Sequence, residues 1–509
     1  MNKKPKIGVI GFSDGEPEVH EELKGIVQEQ MDAIVKALRA SGEVDVVEAD
    51  YLVHSPEEAK LQGQKMVAED VDGTIFSYGV FSFPNFSAIA AKFGKGPFLL
   101  AANLNPDWPG MVAMLAAGGA LHHLGIEHFR AAGDINDKEV LDKVLQFAKC
   151  AHVVNSLKGS TYGLIGGRSL GMYSATVSMQ DWQDKFGIDI EHIDQSEIVR
   201  LADTIPQEQV DKAFGWLTEN VGRIEYDDKK LTPEKLKQQI RHYEATKKII
   251  EDRRLDFIGV KCHYEMSRHY CTQCLSAAFC NDPYDWDGPK EPVVCACEAD
   301  SDAALTMQIL HLLTNDPVVF MDVRHYDKDY DVMVFCNCGS QSTYYAAASD
   351  DPRENLKKVT LYPCLDIYAG GGCHVNLMTK PGKATIARLN RTEGKYRMTI
   401  IPTEFVELPE EKMAETTKEW PHVFAKLPFD HQIFLDRFDA NHCHAVYGDH
   451  VESLKTVSYT HLDVYKRQIL PYHHELSLQT KFFCVGYRAA DRLCVIPQLS
   501  NHKILIWYT

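Results

Sequence analysis

The chain opens with a short apolar run, KIGVI (residues 6–10), which enters a Gly-Phe-Ser-Asp-Gly turn, and residues 18–38 then carry apolar positions at helical spacing. That pattern predicts a strand, a loop and a helix. VDVVEAD (44–50), DGTIFSYG (72–79) and FLLAAN (98–103) repeat the strand signal with helical stretches between them. Such alternation predicts a parallel sheet covered by helices, whose ligand sites gather at the carboxyl ends of the strands.

From residue 158 the text changes to KGSTYGLIGGRSLGMYS, a strand followed by a glycine-rich loop. Strands (FGIDIEHID, LDFIGVKCHYEM, VVCACE) and helices (LTPEKLKQQIRHYEATKKII, DAALTMQILHLLT) then alternate again, which predicts a second α/β domain. After Asp322 the runs DVMVFCNCGS, KVTLYPCL, KATIARLNR and KYRMTIIPTEFVEL are bounded by turn residues and predict a β-rich, antiparallel sheet or barrel. The fold class is therefore α/β: two N-terminal domains with parallel sheets (residues 1–158 and 159–320) and a β-rich C-terminal domain (321–455).

Composition removes several functions. No apolar run approaches the roughly 18 residues a membrane helix needs, and only a short apolar stretch precedes Asp14, so a membrane protein or a secretory leader is not expected and a cytoplasmic location is. Seventy-two acidic against 54 basic residues leave a net charge of -18, which repels phosphate backbones and argues against nucleic acid. The 14 cysteines lie mostly inside apolar stretches and are read as reduced thiols.

Residues 456–509 differ from what precedes them: six basic residues stand against three acidic ones. VSYTHLDVYKRQ (457–468) resembles translated sequencing adapter, so this tail is read as an assembly artefact and no part of the native fold. The helix expected after Gly448-Asp449-His450 is read as interrupted near Lys455.

Three polar groups sit at the ends of apolar strands or in polar loops: Glu298 after PVVCAC, Asp322 after PVVFM, and His442 in FDANHCHAVYGDH. Singly, each has a plain structural alternative. Glu298, with Asp300 and Asp302 just before a helix, can serve as a cap, and a loop histidine is usually hydrogen-bonded through both ring nitrogens. Together, two carboxylates and an imidazole suit a hard-to-borderline divalent cation such as Mn²⁺. CTQCLSAAFC, with His263 and His269 nearby, offers a competing zinc pattern, but it lacks a second pair at matched spacing, so packed thiols are expected instead.

KGSTYGLIGGRSLGMYS, IGVKCHYEM, CEADSDAALTMQILHLLT, DVRHYD and NHCHAVYGDH resemble, in order, the motif series of the L-fucose isomerase-like family, from about residue 5 to residue 455. The resemblance implies an aldose–ketose isomerase of the L-fucose/L-arabinose type working through an ene-diol. It implies Glu298, Asp322 and His442 as ligands of Mn²⁺ or another divalent cation, with Glu298 and Asp322 as acid/base groups. Lys261 and Glu265 match a region lining the sugar pocket in relatives; Leu170, Met172, Trp420 and Asn441 are further substrate-binding candidates. Asp14 matches a loop that reaches a neighbouring subunit's site in hexameric relatives, implying a homo-oligomer, hexamer or trimer, with shared active sites. A non-catalytic sugar-binding or sensing protein is the alternative; which sugar is bound is not legible at this level.

Overall fold

A computed structural model describes residues 4–461 and 467–468. The first sheet is five-stranded and parallel throughout, in the order Asp45–Glu48, Lys6–Phe12, Gly73–Tyr78, Phe98–Ala102, His128–Ala132. Its central strands are buried along nearly their whole length. A parallel sheet sandwiched between helices has no solvated face, which is why these strands read as continuous apolar runs.

A second parallel sheet has the order Cys295–Cys297, Phe257–Val260, Thr161–Ile165, Asp189–Ile193. The helices around it start on side-chain caps. Ser178 accepts from the Asp181 N–H, Thr232 from the Lys235 N–H just ahead of Pro233, and Asp300 from the Ala303 N–H.

The third sheet is antiparallel. Its strands run Gly382–Thr392, His442–Tyr447, Val319–Asp327, Val332–Cys336, His422–Lys426 and Lys395–Phe405, and the first pairs with the last along eleven residues. That pairing closes the sheet into a six-stranded barrel, which leaves no free edge. The helix Ser301–Thr314, buried on nearly every side, packs between the second sheet and the barrel.

Two local expectations fail. His442 opens a strand rather than lying in a loop, because HCHAVY continues the buried barrel wall. The last helix is not interrupted at Lys455: Val451–His461 continues past it, with Leu454, Val457 and Ser458 buried, and the Ser453 carbonyl accepting from the Cys150 thiol of the helix Lys138–Leu157. Apolar side chains three apart hold that face against the core. Of the tail 456–509 read as an artefact, residues 456–461 belong to this helix and 467–468 are described, while the rest lies outside the described residues.

Three core histidines are held neutral, and this gives the fold an acid limit. His374 takes a hydrogen bond on Nε2 from the Leu365 N–H, at 3.3 Å. His242 takes one on Nδ1 from the Gln273 amide, at 2.9 Å, and His422 donates Nδ1–H to the Trp420 carbonyl at 2.8 Å. Burial pushes their pKa values down to about 3, 4 and 4 respectively. A depressed folded-state value means the stabilisation is complete above the unfolded value of 6.5 and is lost as pH falls from there toward 4. We expect urea-unfolding stability to decline below pH 6.5 by about 1.4 kcal/mol per pH unit for each site. A flat profile between pH 7 and 5 would contradict this.

Candidate active site

The carboxyl ends of the second sheet face the barrel, and the polar set assembles there. Glu298 follows directly on the strand Cys295–Cys297 and has φ 58°; Ala299 follows at 52°. Two successive residues with side chains in the left-handed region are a strained turn, of the kind that persists where the surroundings dictate where a side chain must point. Asp322 and His442 come from adjacent barrel strands and are direct cross-strand partners.

The centre of the set is the imidazole of His442, itself fully buried. Its Nε2 lies 3.0 Å from Asp322 Oδ1 and 3.5 Å from Glu298 Oε2. Its Nδ1–H donates to Asp300 Oδ2 at 2.7 Å, which settles the ring's orientation and turns Nε2 toward the two carboxylates. Asp300 has three duties at once: it caps the helix Ser301–Thr314, it holds His442, and it pairs with the buried Arg388 at 3.1 Å.

The proton affinities follow from this crowding. Burial alone would lower the His442 pKa, but Asp322, Asp300 and Glu298 more than offset it and hold it well above the ordinary value. Burial raises Asp322, and His442 only partly reverses that. Burial also works to raise Glu298, yet the hydrogen bond and charge of His442, with His263 beyond, bring it below the usual range. The two carboxyls share one imidazole, so their protonation is linked through it. Asp300 is held well below the carboxylate range because Arg388 and His442 outweigh its burial.

A divalent cation fits these residues. Three carboxylates around one imidazole leave an excess of negative charge, and the ligand types are oxygen and nitrogen. Glu298, Asp322 and His442 are the residues that would hold it; Asp322, with a 28% exposed side chain against 9% for Glu298, is on the open side.

The remaining sequence candidates divide. The Asn441 amide nitrogen is 3.0 Å from His442 Nε2 and 3.6 Å from the Met172 sulfur, so these two border the set. They also line an open cavity with Arg388, Arg391 and Asp302. Leu170, half exposed with φ 50°, sits in the same glycine-rich loop as Met172. Lys261 follows the strand Phe257–Val260, and its ammonium is bonded to Glu265 at 2.8 Å. Trp420 lies half-buried beside His374, with its indole N–H unpartnered. Asp14 follows the strand Lys6–Phe12 of the first sheet and accepts from the Glu16 N–H of its own loop.

Reasoning from sequence missed Arg388, which sits inside a strand pattern, and the second role of Asp300 behind its cap. The CTQC segment does not gather into a metal site: Cys271 lies 3.5 Å from His242 Nδ1, while Cys274 lies 3.4 Å from His374 Nδ1.

Two carboxylates face a pinned imidazole where the second parallel sheet meets the antiparallel barrel, and the relatives of this sequence make it an aldose–ketose isomerase, an intramolecular oxidoreductase. The family models for the first N-terminal domain and for the C-terminal domain of L-fucose isomerase match residues 4–159 and 335–467. The L-fucose isomerase of Bacteroides thetaiotaomicron is 24% identical, with 90% of this chain and 92% of that protein covered. Those of Bacteroides fragilis and Citrobacter koseri are 26% and 24% identical, covering 77% and 82% of this chain and 79% and 84% of the relatives. The chain belongs to the L-fucose isomerase family. A periplasmic solute-binding protein from Actinobacillus succinogenes with bound D-allose aligns with 52% of this chain and 82% of that one, at 12% identity and a TM-score of 0.15, which is no likeness of fold.

Proposed function

We propose that this sugar isomerase is divalent-cation-dependent, with Mn²⁺ the first candidate, and that it interconverts aldoses and ketoses of the L-fucose/L-arabinose type through an ene-diol. The observation that carries the reading is the Asp322–His442 cross-strand pair facing Glu298, with His442 locked from behind by Asp300. Bound there, the cation supplies a Lewis acid for the two oxygens of an open-chain sugar. The chain's own groups do the rest. One carboxylate of the Glu298–Asp322 pair carries the proton from C2 to C1 and so returns to its starting state. The second hydroxyl proton passes from O2 to O1, so the hydrogen count is unchanged. Asn441 and Met172 flank the sugar, Leu170 adds an apolar wall, and Lys261, Glu265 and Trp420 complete the pocket.

The test is metal removal. Chelator-stripped protein is assayed for ketose formation from L-fucose, D-arabinose and L-arabinose, before and after Mn²⁺ is restored. We expect turnover only with the ion, on at least one of the three. Turnover unaffected by stripping would overturn the metal reading; tight ion binding without turnover on these sugars would overturn the substrate class.

Assembly into a cytoplasmic homo-oligomer, hexamer or trimer, belongs to the same proposal, with Asp14 contributed to a neighbour's site. Met111, Val112 and Leu115 are exposed on one side of the helix Gly110–His123, with Leu104 and Trp108 exposed in the loop before it, apolar surface suited to a second copy. Among the described residues no helix is long and apolar enough to cross a membrane. Val112→Glu with Leu115→Glu is expected to reduce the mass seen by light scattering to that of a single chain and to lower turnover with it; an unchanged mass would remove this face from the interface.

A further inference from the structure

Beside Cys297, the residue before Glu298, is a small cavity lined also by Cys262, His263, Cys274, Cys338 and His374. Cys297 precedes Glu298 in the chain, and its sulfur lies 3.3 Å from that of Cys338, both buried. Cys338, His263 and Glu298 each offer a donor atom within 4.8 Å of the others. His263 Nδ1 is buried with no hydrogen-bond partner, while its Nε2 lies 3.8 Å from Glu298 Oε1. Nε2, which the Tyr368 hydroxyl also reaches at 3.5 Å, is the nitrogen turned toward Glu298.

We propose that Cys338, His263 and Glu298 Oε1 form a second cation site, selective for a thiophilic d¹⁰ divalent ion of the Zn²⁺/Cd²⁺ class, and that Cys297, whose sulfur touches that of Cys338 but stands outside this trio, swings in as the fourth ligand. Two sulfurs, one nitrogen and one oxygen are a tetrahedral donor set for such an ion. Zinc–sulfur bonds near 2.3 Å put tetrahedral sulfurs about 3.8 Å apart, so the pair needs to open by about 0.5 Å. Binding releases two thiol protons to solvent. The hard site faces the other oxygen of the same carboxylate, 3.5 Å from His442 Nε2, so the two sites share one carboxylate and a soft ion draws Glu298 away from catalysis. This coupling rests on Glu298 serving the hard site as proposed above; the thiol site itself does not.

The experiment titrates reduced, metal-stripped full-length protein with Cd²⁺ in excess Mn²⁺, reading the sulfur-to-cadmium charge-transfer absorbance, with ¹¹³Cd NMR of the wild type counting sulfur ligands directly. We expect one equivalent to saturate the band, a shift diagnostic of two sulfurs, loss of the band in Cys297→Ser and in Cys338→Ser, and its retention in Cys274→Ser. His442→Asn separates the two readings, since it disrupts the hard site and leaves the band. A wild type without a band, a shift showing no sulfur, or a band surviving both substitutions in folded protein overturns the site. An unchanged Mn²⁺ affinity at full Cd²⁺ occupancy overturns the sharing of Glu298.

Discussion

Glu298→Gln is expected to leave the chain folded and to slow ketose formation by about 10²- to 10⁴-fold, the range over which a positioned acid/base group contributes. The amide has the shape of the carboxylate, so the strained turn at φ 58° is kept and neither the strand Cys295–Cys297 nor the helix after it is disturbed. What is lost is charge. Glu298 is one of three carboxylates that hold the His442 proton affinity high, and it is the one brought below its ordinary range. Removing a buried charge also removes the cost of its desolvation, so the thermal midpoint should stay within a few degrees of wild type. Turnover with saturating Mn²⁺, read beside thermal unfolding, checks both halves. Full activity in a protein of unchanged stability would take Glu298 out of the chemistry.

How much of this was readable beforehand depends on whether the information is local. KIGVI, TIFSY and FLLAA declare themselves because a doubly covered parallel strand has to be apolar on both sides. Glu298 and Asp322 stand out because each ends or interrupts such a run, and the ordered motifs then single out His442 with them. The register that places Asp322 opposite His442 is carried by nothing near either residue: it follows from how the barrel strands pair after closure. Asp300 is hidden for a related reason. Its capping of Ala303 is a local signal and satisfies the eye, whereas its bonds to His442 and Arg388 join strands distant in the sequence. Arg388 reads as the polar member of an alternating strand, and only the helix Ser301–Thr314 packed over the barrel makes that face an interior one. The last helix continues past Lys455 because Val451, Leu454 and Val457 keep one apolar face across the point where the composition changes, a spacing that composition alone does not register.

Asp300→Asn should behave differently from Glu298→Gln, losing stability and function together. The Asp300 carboxylate is fully buried and serves three donors through four contacts: the Ala303 N–H at 3.0 Å, His442 Nδ1–H at 2.7 Å, and Arg388 Nη2 at 3.2 Å from one oxygen and 3.1 Å from the other. An amide has a single accepting oxygen. If that oxygen stays with the helix cap, the NH₂ is turned against two donors, the imidazole N–H and the guanidinium. Arg388, 1% exposed, is then left a buried cation without a carboxylate, keeping the neutral cap oxygen, Asn390 Oδ1 and His444 Nε2, at 3.2, 3.2 and 3.3 Å. Breaking one side of a buried ion pair costs about 3 kcal/mol or more, and freeing the ligand imidazole costs about 10- to 100-fold in metal affinity or activity. Urea unfolding and Mn²⁺ titration of the same preparation measure the two losses. Adding Arg388→Met to Asp300→Asn removes the stranded cation, so it should recover much of the stability while the loose imidazole keeps activity low. Recovery of both would mean that Asp300 acts only through the fold. Stability and activity at wild-type levels in the single variant would mean that His442 is oriented by something other than Asp300.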